Sequence, residues 1–242
     1  MDWIITPTYN ERNNIRVLVD KIFTLYPAIQ VLVVDDNSPD GTGPVVKDLQ
    51  KKYPNLHLKE RGGKLGLASA YLGAFKDVLR DYPDVRAIIT MDADLSHDPL
   101  VVGEMLQEIK VCDAVFGSRY VRGGGVQDWE LWRRLLSWGG NVYARMVTGS
   151  RIHDLTGGFK CFRAELLRRY NLDEVCAEGY GHQIEIKVIA EQLNARIREI
   201  PITFRGRIEG ESKISNSIIY EGLLLPWRFS PLLSIFTSRR RR

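Results

Sequence analysis

The sequence predicts an α/β domain, a mostly parallel β-sheet flanked by helices on both faces. Three observations predict it. Short apolar runs alternate with amphipathic stretches through the first half of the chain, the pattern of a helix-covered parallel sheet. The 242 residues suit one such domain with a sizeable core. Acidic clusters also follow one apolar run after another, at the sheet edge where an open α/β fold binds its ligand.

Taken in order, Trp3-Ile4-Ile5 predicts a strand that ends at Pro7. Ile15, Leu18, Val19, Ile22 and Phe23 fall at helical spacing and predict the helix that follows. Val31 to Val34 is apolar throughout and suits a strand buried on both faces. Leu72, Phe75, Lys76 and Leu79 mark a second helix, Ala87 to Met91 a third strand, and Ala114-Val115-Phe116 a fourth. Leu131, Leu135, Trp138, Val142 and Met146 recur at three- and four-residue steps, predicting a long helix from about Trp129 to Val147. Beyond Gly149 the pattern loosens into a helix around Gln183 to Leu193 and a strand from Ile197 to Phe204. No repeat or linker interrupts the chain. The expected organisation is one catalytic domain over 1–215 and an apolar, basic segment over 216–242.

Composition excludes several classes. With 44% hydrophobic and 26% charged residues the chain is not disordered. A net charge of +4 is too small to mark a nucleic-acid binder, and Arg239 to Arg242 equal that whole excess. Cys112, Cys161 and Cys176 have no metal-binding spacing and read as packing in a reducing compartment. No signal peptide or membrane-spanning run is visible, so a cytoplasmic location is expected.

Three acidic clusters carry the chemistry. The first strand leads into Pro7-Thr8-Tyr9-Asn10-Glu11, the second into Asp35-Asp36-Asn37-Ser38-Pro39-Asp40-Gly41-Thr42, and the third into Asp92-Ala93-Asp94-Leu95-Ser96-His97. The first two also suit helix caps and turns. Two carboxylates two residues apart at the exit of a buried strand destabilise the fold unless they hold a ligand. Three such clusters at one edge point to a divalent cation carrying a nucleotide diphosphate.

With these motifs in place, the sequence resembles the GT-A glycosyltransferases of family 2, and more narrowly the polyprenol (dolichol) phosphate mannose synthases. The resemblance runs from about Ile4 to Ser215. It rests on an ordered set: PTYNE at 7–11, DDNSPDGT at 35–42, KLGLASAY at 64–71, DADLSHDP at 92–99, GSRYVRGGG at 117–125, DLTGGF at 154–159 and GESK at 210–213. It implies a Rossmann-like GT-A sheet and inverting transfer of mannose from GDP-mannose to a polyprenol or dolichol phosphate. Pro7, Tyr9, Glu11, Val34 and Asp36 then correspond to donor nucleotide contacts. Asp92, Ala93 and Asp94 correspond to the diphosphate and metal segment. The resemblance implies that Asp94 is the principal ligand for Mg2+ or Mn2+. Where some relatives carry a glutamine ligand this chain has Ser96, a shorter oxygen donor. Arg119, Arg133, Arg207 and Lys213 resemble the basic residues that gather phosphate groups. Arg133, beside Arg134 on a helix, also suits a solvated face, and Lys213 a flexible loop.

A phosphate acceptor shapes the expected mechanism. Its second pKa is about 6, so it is largely a dianion near neutral pH and needs no general base. The difficulty is bringing it to an anionic donor. The basic residues would neutralise the acceptor, and the metal the leaving diphosphate. The Gly123-Gly124-Gly125 loop and GESK suit either closing loops or surface turns.

After Asn216, leucines and aromatics precede four arginines, with Glu221, Arg228 and two prolines interrupting any spanning helix. This suits either a membrane-interfacial segment or a packed terminal helix. The expected partners are GDP-mannose, the lipid phosphate and a membrane surface on its cytoplasmic face. A membrane-anchoring partner subunit or an anchor beyond this C-terminus is also compatible. Trp129, Trp132 and Trp138 suit packing or membrane contact, and His97, His153 and His182 receive no chemistry. UDP-glucose is the nearest competing donor. A nucleotide-sugar binder without transfer activity is the competing class.

Overall fold

The computed structural model describes residues 1–175, 181–206 and 223–230. Chain order is β1 (Asp2–Thr8), α1 (Arg12–Leu25), β2 (Gln30–Asp35), α2 (Thr42–Gln50), β3 (Leu56–Glu60), α3 (Leu67–Asp81) and β4 (Ala87–Thr90). It continues with α4 (Val101–Glu108), β5 (Ala114–Ser118), β6 (Gly125–Val126), α5 (Leu131–Thr148), β7 (Lys160–Arg163), α6 (Ala164–Arg168), α7 (Gly181–Gln192), β8 (Ile197–Pro201) and β9 (Thr203–Phe204). A short helix spans 223–228.

Seven strands make one sheet in the order β3-β2-β1-β4-β7-β5-β8. All its pairs are parallel except those of β7, which runs antiparallel between β4 and β5. The apolar runs are continuous because both faces are covered. Along β2, Val31 and Val33 pack towards α1, α2 and α4, while Leu32 and Val34 pack towards α3, α6 and α7. Ile4 and Ile5 divide between the same two layers, as do Ile88 and Ile89. This alternation fixes the register, since a one-residue slip would exchange the two cores.

Several elements depart from expectation. β1 continues through Pro7 to Thr8. β4 runs beside β1 only as far as Ile5, so on that side Pro7 interrupts no ladder. The predicted strand over Ile197–Phe204 is two strands. β8 joins the main sheet, and β9 leaves it at Ile202 to pair with β6. β3, β6, β7, α2, α4 and α6 were not expected from the sequence. Cys161 is buried, in keeping with packing, and Cys176 lies outside the described residues.

α5 rests on the domain through Asn141, Ala144 and Thr148. Trp132 and Trp138 are 58% and 56% exposed, so they do not pack into the core as one expectation had it. Leu131, Leu135, Leu136 and Met146 are exposed with them. Helix 223–228 docks against α5 by way of Tyr143. The Tyr143 hydroxyl donates to Leu223 O at 2.6 Å and accepts from Trp227 Nε1 at 2.8 Å. Leu225 is buried, whereas Leu224 and Trp227 are exposed. No helix among the described residues is long and apolar enough to cross a membrane.

Candidate active site

The three acidic clusters meet at the carboxyl edge of β1, β2 and β4. Each sits on a turn with a left-handed residue, Asn10 (φ 60°), Asn37 (φ 55°) and Leu95 (φ 62°). Asparagine tolerates this conformation. A leucine there is strained, and such strain concentrates at functional turns.

The first two clusters are laced together. Asp35 is buried and accepts from Thr8 Oγ1 (2.8 Å), Ser38 Oγ (2.6 Å) and the Ser38 amide (2.9 Å). Asp40 accepts from the Arg12 amide at 3.0 Å and from Thr42 Oγ1 at 2.6 Å. Asp36 braces the loop before α3. Its Oδ2 takes the amides of Leu65 and Gly66 at 3.1 and 3.0 Å, and Arg61 Nε lies 2.6 Å from Oδ1. Lys64 covers the Tyr9 ring at 4.3 Å. Tyr9, Pro7 and Glu11 are half-buried at this edge, whereas Val34 is wholly buried in the core.

In the third cluster Asp94 is buried, with the Ser96 amide donating to its Oδ1 at 3.1 Å. The Ser96 hydroxyl is buried beside it with no hydrogen-bond partner. A buried carboxylate and an orphaned hydroxyl fit a hard divalent cation, which prefers oxygen ligands. Among the described residues no three His, Cys, Asp or Glu side chains gather into a metal cage. Asp92 is partly exposed and accepts from the Tyr71 hydroxyl at 3.4 Å. Burial, reinforced by the Asp92 charge, pushes the Tyr71 phenol well above its ordinary pKa, so it remains a donor. The Asp92 amide donates to His97 Nδ1 at 3.1 Å, which leaves the proton on Nε2 of a ring stacked on Phe159.

The basic side of the site is only partly within the described residues. Arg119, at the exit of β5, is buried. It grips Asp154 through Nε to Oδ2 and Nη2 to Oδ1, both at 2.7 Å, and Nη2 also donates to Thr156 Oγ1 at 2.7 Å. Burial raises the Asp154 carboxyl pKa, but the charge and hydrogen bonds of Arg119 outweigh this and hold it well below the usual carboxylate range. Lys187, fully buried on α7, donates to Asp154 O. Desolvation lowers its pKa to about 8 against the pull of Asp154. Arg133, on the first turn of α5, covers the Trp129 ring at 4.4 Å, and Arg119 lies 5.9 Å from the same ring. Arg133 Nε is buried without a hydrogen-bond partner. Arg207, Lys213 and GESK lie outside the described residues.

The glycine loop at 123–125 is tied down. A Cβ on Gly124 would stand 2.5 Å from Ser118 O, so only glycine allows this approach to the backbone beside Arg119. Gly125 N donates to Ile202 O at 3.0 Å. Sequence reasoning gave no role to Tyr71 and Asp154, and assigned His97 no chemistry. All three lay inside quoted motifs, KLGLASAY, DADLSHDP and DLTGGF, and that membership was the only signal in the sequence.

The sequence model of glycosyl transferase family 2 matches residues 3–170. Undecaprenyl-phosphate mannosyltransferase of Micrococcus luteus is 38% identical over 91% of this chain and 90% of its own length. Polyprenol monophosphomannose synthase of Mycolicibacterium smegmatis is 41% identical over 91% of this chain and 83% of its own length. Among solved structures, Mycobacterium tuberculosis glucosyl-3-phosphoglycerate synthase with Mn2+, UDP and glucosyl-3-phosphoglycerate superposes with TM-score 0.65. It is 15% identical and covers 93% of this chain and 77% of that one. The Pyrobaculum calidifontis mannosyltransferase PcManGT with GDP-Man and Mn2+ superposes with TM-score 0.57. It is 21% identical over 87% of this chain and 58% of that one. At these identities the solved structures establish the fold.

Proposed function

The chain belongs to glycosyl transferase family 2 and is a glycosyltransferase, and on that premise we propose that it transfers mannose from GDP-mannose to a polyprenyl phosphate. The observation that carries this reading is the identity of 38–41%, over nine-tenths of the chain, to two enzymes named for polyprenyl phosphate mannosylation. The PcManGT complex, on the same fold, supports GDP-mannose as the donor.

Pro7, Tyr9, Glu11 and Asp36 form the donor nucleotide edge, with Val34 as its floor. Asp94 and Ser96 would hold the divalent cation, with Asp92 and Ala93 alongside the diphosphate. When bound, the cation supplies positive charge to the departing diphosphate. The protein's own task is to bring two anions together. Asp154 offsets the charge of Arg119, so this pair shapes the pocket wall. Net attraction for the acceptor phosphate comes from Arg133, Arg207 and Lys213. An acceptor phosphate oxygen forms the new bond to the anomeric carbon while the bond to the diphosphate oxygen breaks on the opposite face. Configuration inverts, and no base is required because the acceptor arrives ionised.

The acceptor lies in a bilayer, and Leu131, Trp132, Leu135 and Trp138 are exposed on α5 beside Arg133 and Arg134, as are Leu224 and Trp227 on helix 223–228. Such exposure suits peripheral attachment to an anionic membrane. The test incubates the protein with labelled GDP-mannose or UDP-glucose and vesicles containing polyprenyl phosphate, with and without Mn2+. The expected product is a β-linked mannosyl phosphate lipid, formed from GDP-mannose alone. Glucose transfer would reassign the donor. Donor binding with no transfer to any polyprenyl phosphate would leave a nucleotide-sugar binder.

A further inference from the structure

The segment from Asp154 to Phe159 leads into β7 at the carboxyl edge of the sheet. Because β7 runs antiparallel between its neighbours, its first residue, Lys160, pairs with Thr90, the last residue of β4, and with Phe116 of β5. The segment therefore shares an edge with the acidic clusters. At one end Asp154 holds Arg119. At the other, a Cβ on Gly158 would stand 3.4 Å from Asp92 Oδ2. From Asp154 through Lys160 every residue is buried except Thr156, which is partly exposed.

Two side chains fix the Thr156 hydroxyl. Asn141, buried on α5, accepts the Leu155 and Thr156 amides through Oδ1 at 2.8 and 3.2 Å. Backbone amides only donate, so this end of the Asn141 side chain is its oxygen. Its Nδ2 then faces Thr156 Oγ1, 2.9 Å away. Arg119 Nη2 reaches the same oxygen at 2.7 Å. Both nitrogens donate, so together they occupy the two lone pairs that a hydroxyl offers. The hydroxyl hydrogen is left over, and among the described residues nothing accepts it. It points away from Arg119 and Asn141, at the one position of the segment open to solvent.

We propose that Thr156 is a substrate-binding residue that donates its hydroxyl hydrogen to a phosphate oxygen. Such an oxygen only accepts, which suits a donor whose own lone pairs are filled. The Arg119–Asp154 pair beside it sums to no net charge, so the hydroxyl supplies direction that the pair does not. The donor diphosphate and the lipid phosphate both carry such oxygens. The inference deepens the transfer reading and rests on it.

Thr156→Val keeps the shape and removes the hydroxyl, whereas Thr156→Ser keeps the hydroxyl. In the valine variant Arg119 retains Asp154 and Asn141 retains Ser137 O, so the fold should persist with a lower melting temperature. Calorimetry measures the Kd for GDP with Mn2+ and, separately, for a short-chain prenyl phosphate in detergent. Thr156→Val should weaken at least one of the two about tenfold, the worth of one hydrogen bond to a charged group. Weaker GDP binding assigns the bond to the donor diphosphate, and weaker prenyl phosphate binding assigns it to the acceptor. Thr156→Ser should restore the original affinity in either case. Denaturant titrations of Thr156→Val from pH 3 to 7 should keep the acid limb set by Asp154, which reports an undisturbed ion pair. Unchanged affinity for both ligands, a serine variant as weak as the valine one, or a lost acid limb overturns the inference and leaves Thr156 as an internal brace. Both calorimetric arms read without turnover, so a protein that binds its ligands and transfers nothing would defeat the transfer reading alone.

Discussion

Arg119 and Asp154 form a forked ion pair in which both Asp154 oxygens accept from one guanidinium, each at 2.7 Å. Asp154 Oδ2 also accepts the Arg119 amide at 3.0 Å, so this residue holds the backbone and the side chain at the exit of β5.

Asp154→Asn should cost about 3–5 kcal/mol at neutral pH, because it strands a buried guanidinium. It should also flatten the acid limb of the stability profile. The folded carboxyl lies well below its ordinary 3.8, so the unfolded chain takes up this proton first as pH falls. The pair's stability is complete above about pH 5 and drains away through pH 4 and below. Denaturant titrations from pH 3 to 7 measure both effects, and a variant with the unmodified profile would exclude the pair as the cause.

Asp94→Ala should abolish transfer with little change in melting temperature, and chelation should do the same to the unmodified protein. Ser96→Ala should retain activity but need more metal for half-activation, since it removes one proposed ligand. Full transfer in excess EDTA would contradict the metal site.

Arg133→Ala should lower kcat/KM for the acceptor by about one to two orders of magnitude, the worth of a charge-assisted contact. Arg133→Lys should restore little of that loss, because it keeps the charge and removes the fork. Donor affinity should stay near that of the unmodified protein. An equal loss on the donor side would move Arg133 to the diphosphate.

His182 is fully buried with neither ring nitrogen hydrogen-bonded. Burial, then the charge of Lys160, lowers its pKa from 6.5 to about 3. The unfolded imidazole protonates first, so this residue makes stability fall as pH drops from 6.5 towards 3. His182→Phe should flatten that range and add about 1–3 kcal/mol at neutral pH. An unaltered pH profile would show that His182 is not the titrating group.

Replacing Trp132, Leu135 and Trp138 together with serine should leave the melting temperature nearly unchanged, because all three are exposed. Flotation with anionic vesicles should fall sharply. Unreduced flotation would move the membrane contact elsewhere in the chain.

The sheet and its acidic edge were legible in the sequence because each strand and the carboxylates that follow it are neighbours in the chain. β7 was not. Its residues Lys160, Cys161, Phe162 and Arg163 put a lysine and a phenylalanine on one face, and no periodicity scale reads that as a buried strand. β3 lies at the sheet edge, where half-buried His57 and Lys59 blur the alternation. The polar layer under the site was hidden for a different reason. Tyr71, Asp92, Lys160 and Gln183 come from four separate elements, so no local spacing announces them. The outward face of α5 was hidden too, because helical spacing shows that residues share a side and not whether that side meets protein.

The position of β7 also governs how the sheet is assembled during synthesis. β4 and β5 are complete before the strand that joins them leaves the ribosome, and β8, the other neighbour of β5, comes later still. At ordinary elongation rates both strands keep unpaired edges for on the order of seconds. Open apolar edges of this kind invite pairing with other chains. A nascent chain halted before Arg163 should therefore aggregate rather than persist as a half-size domain, and the growing polypeptide needs shielding until its central strand slots in from the opposite direction.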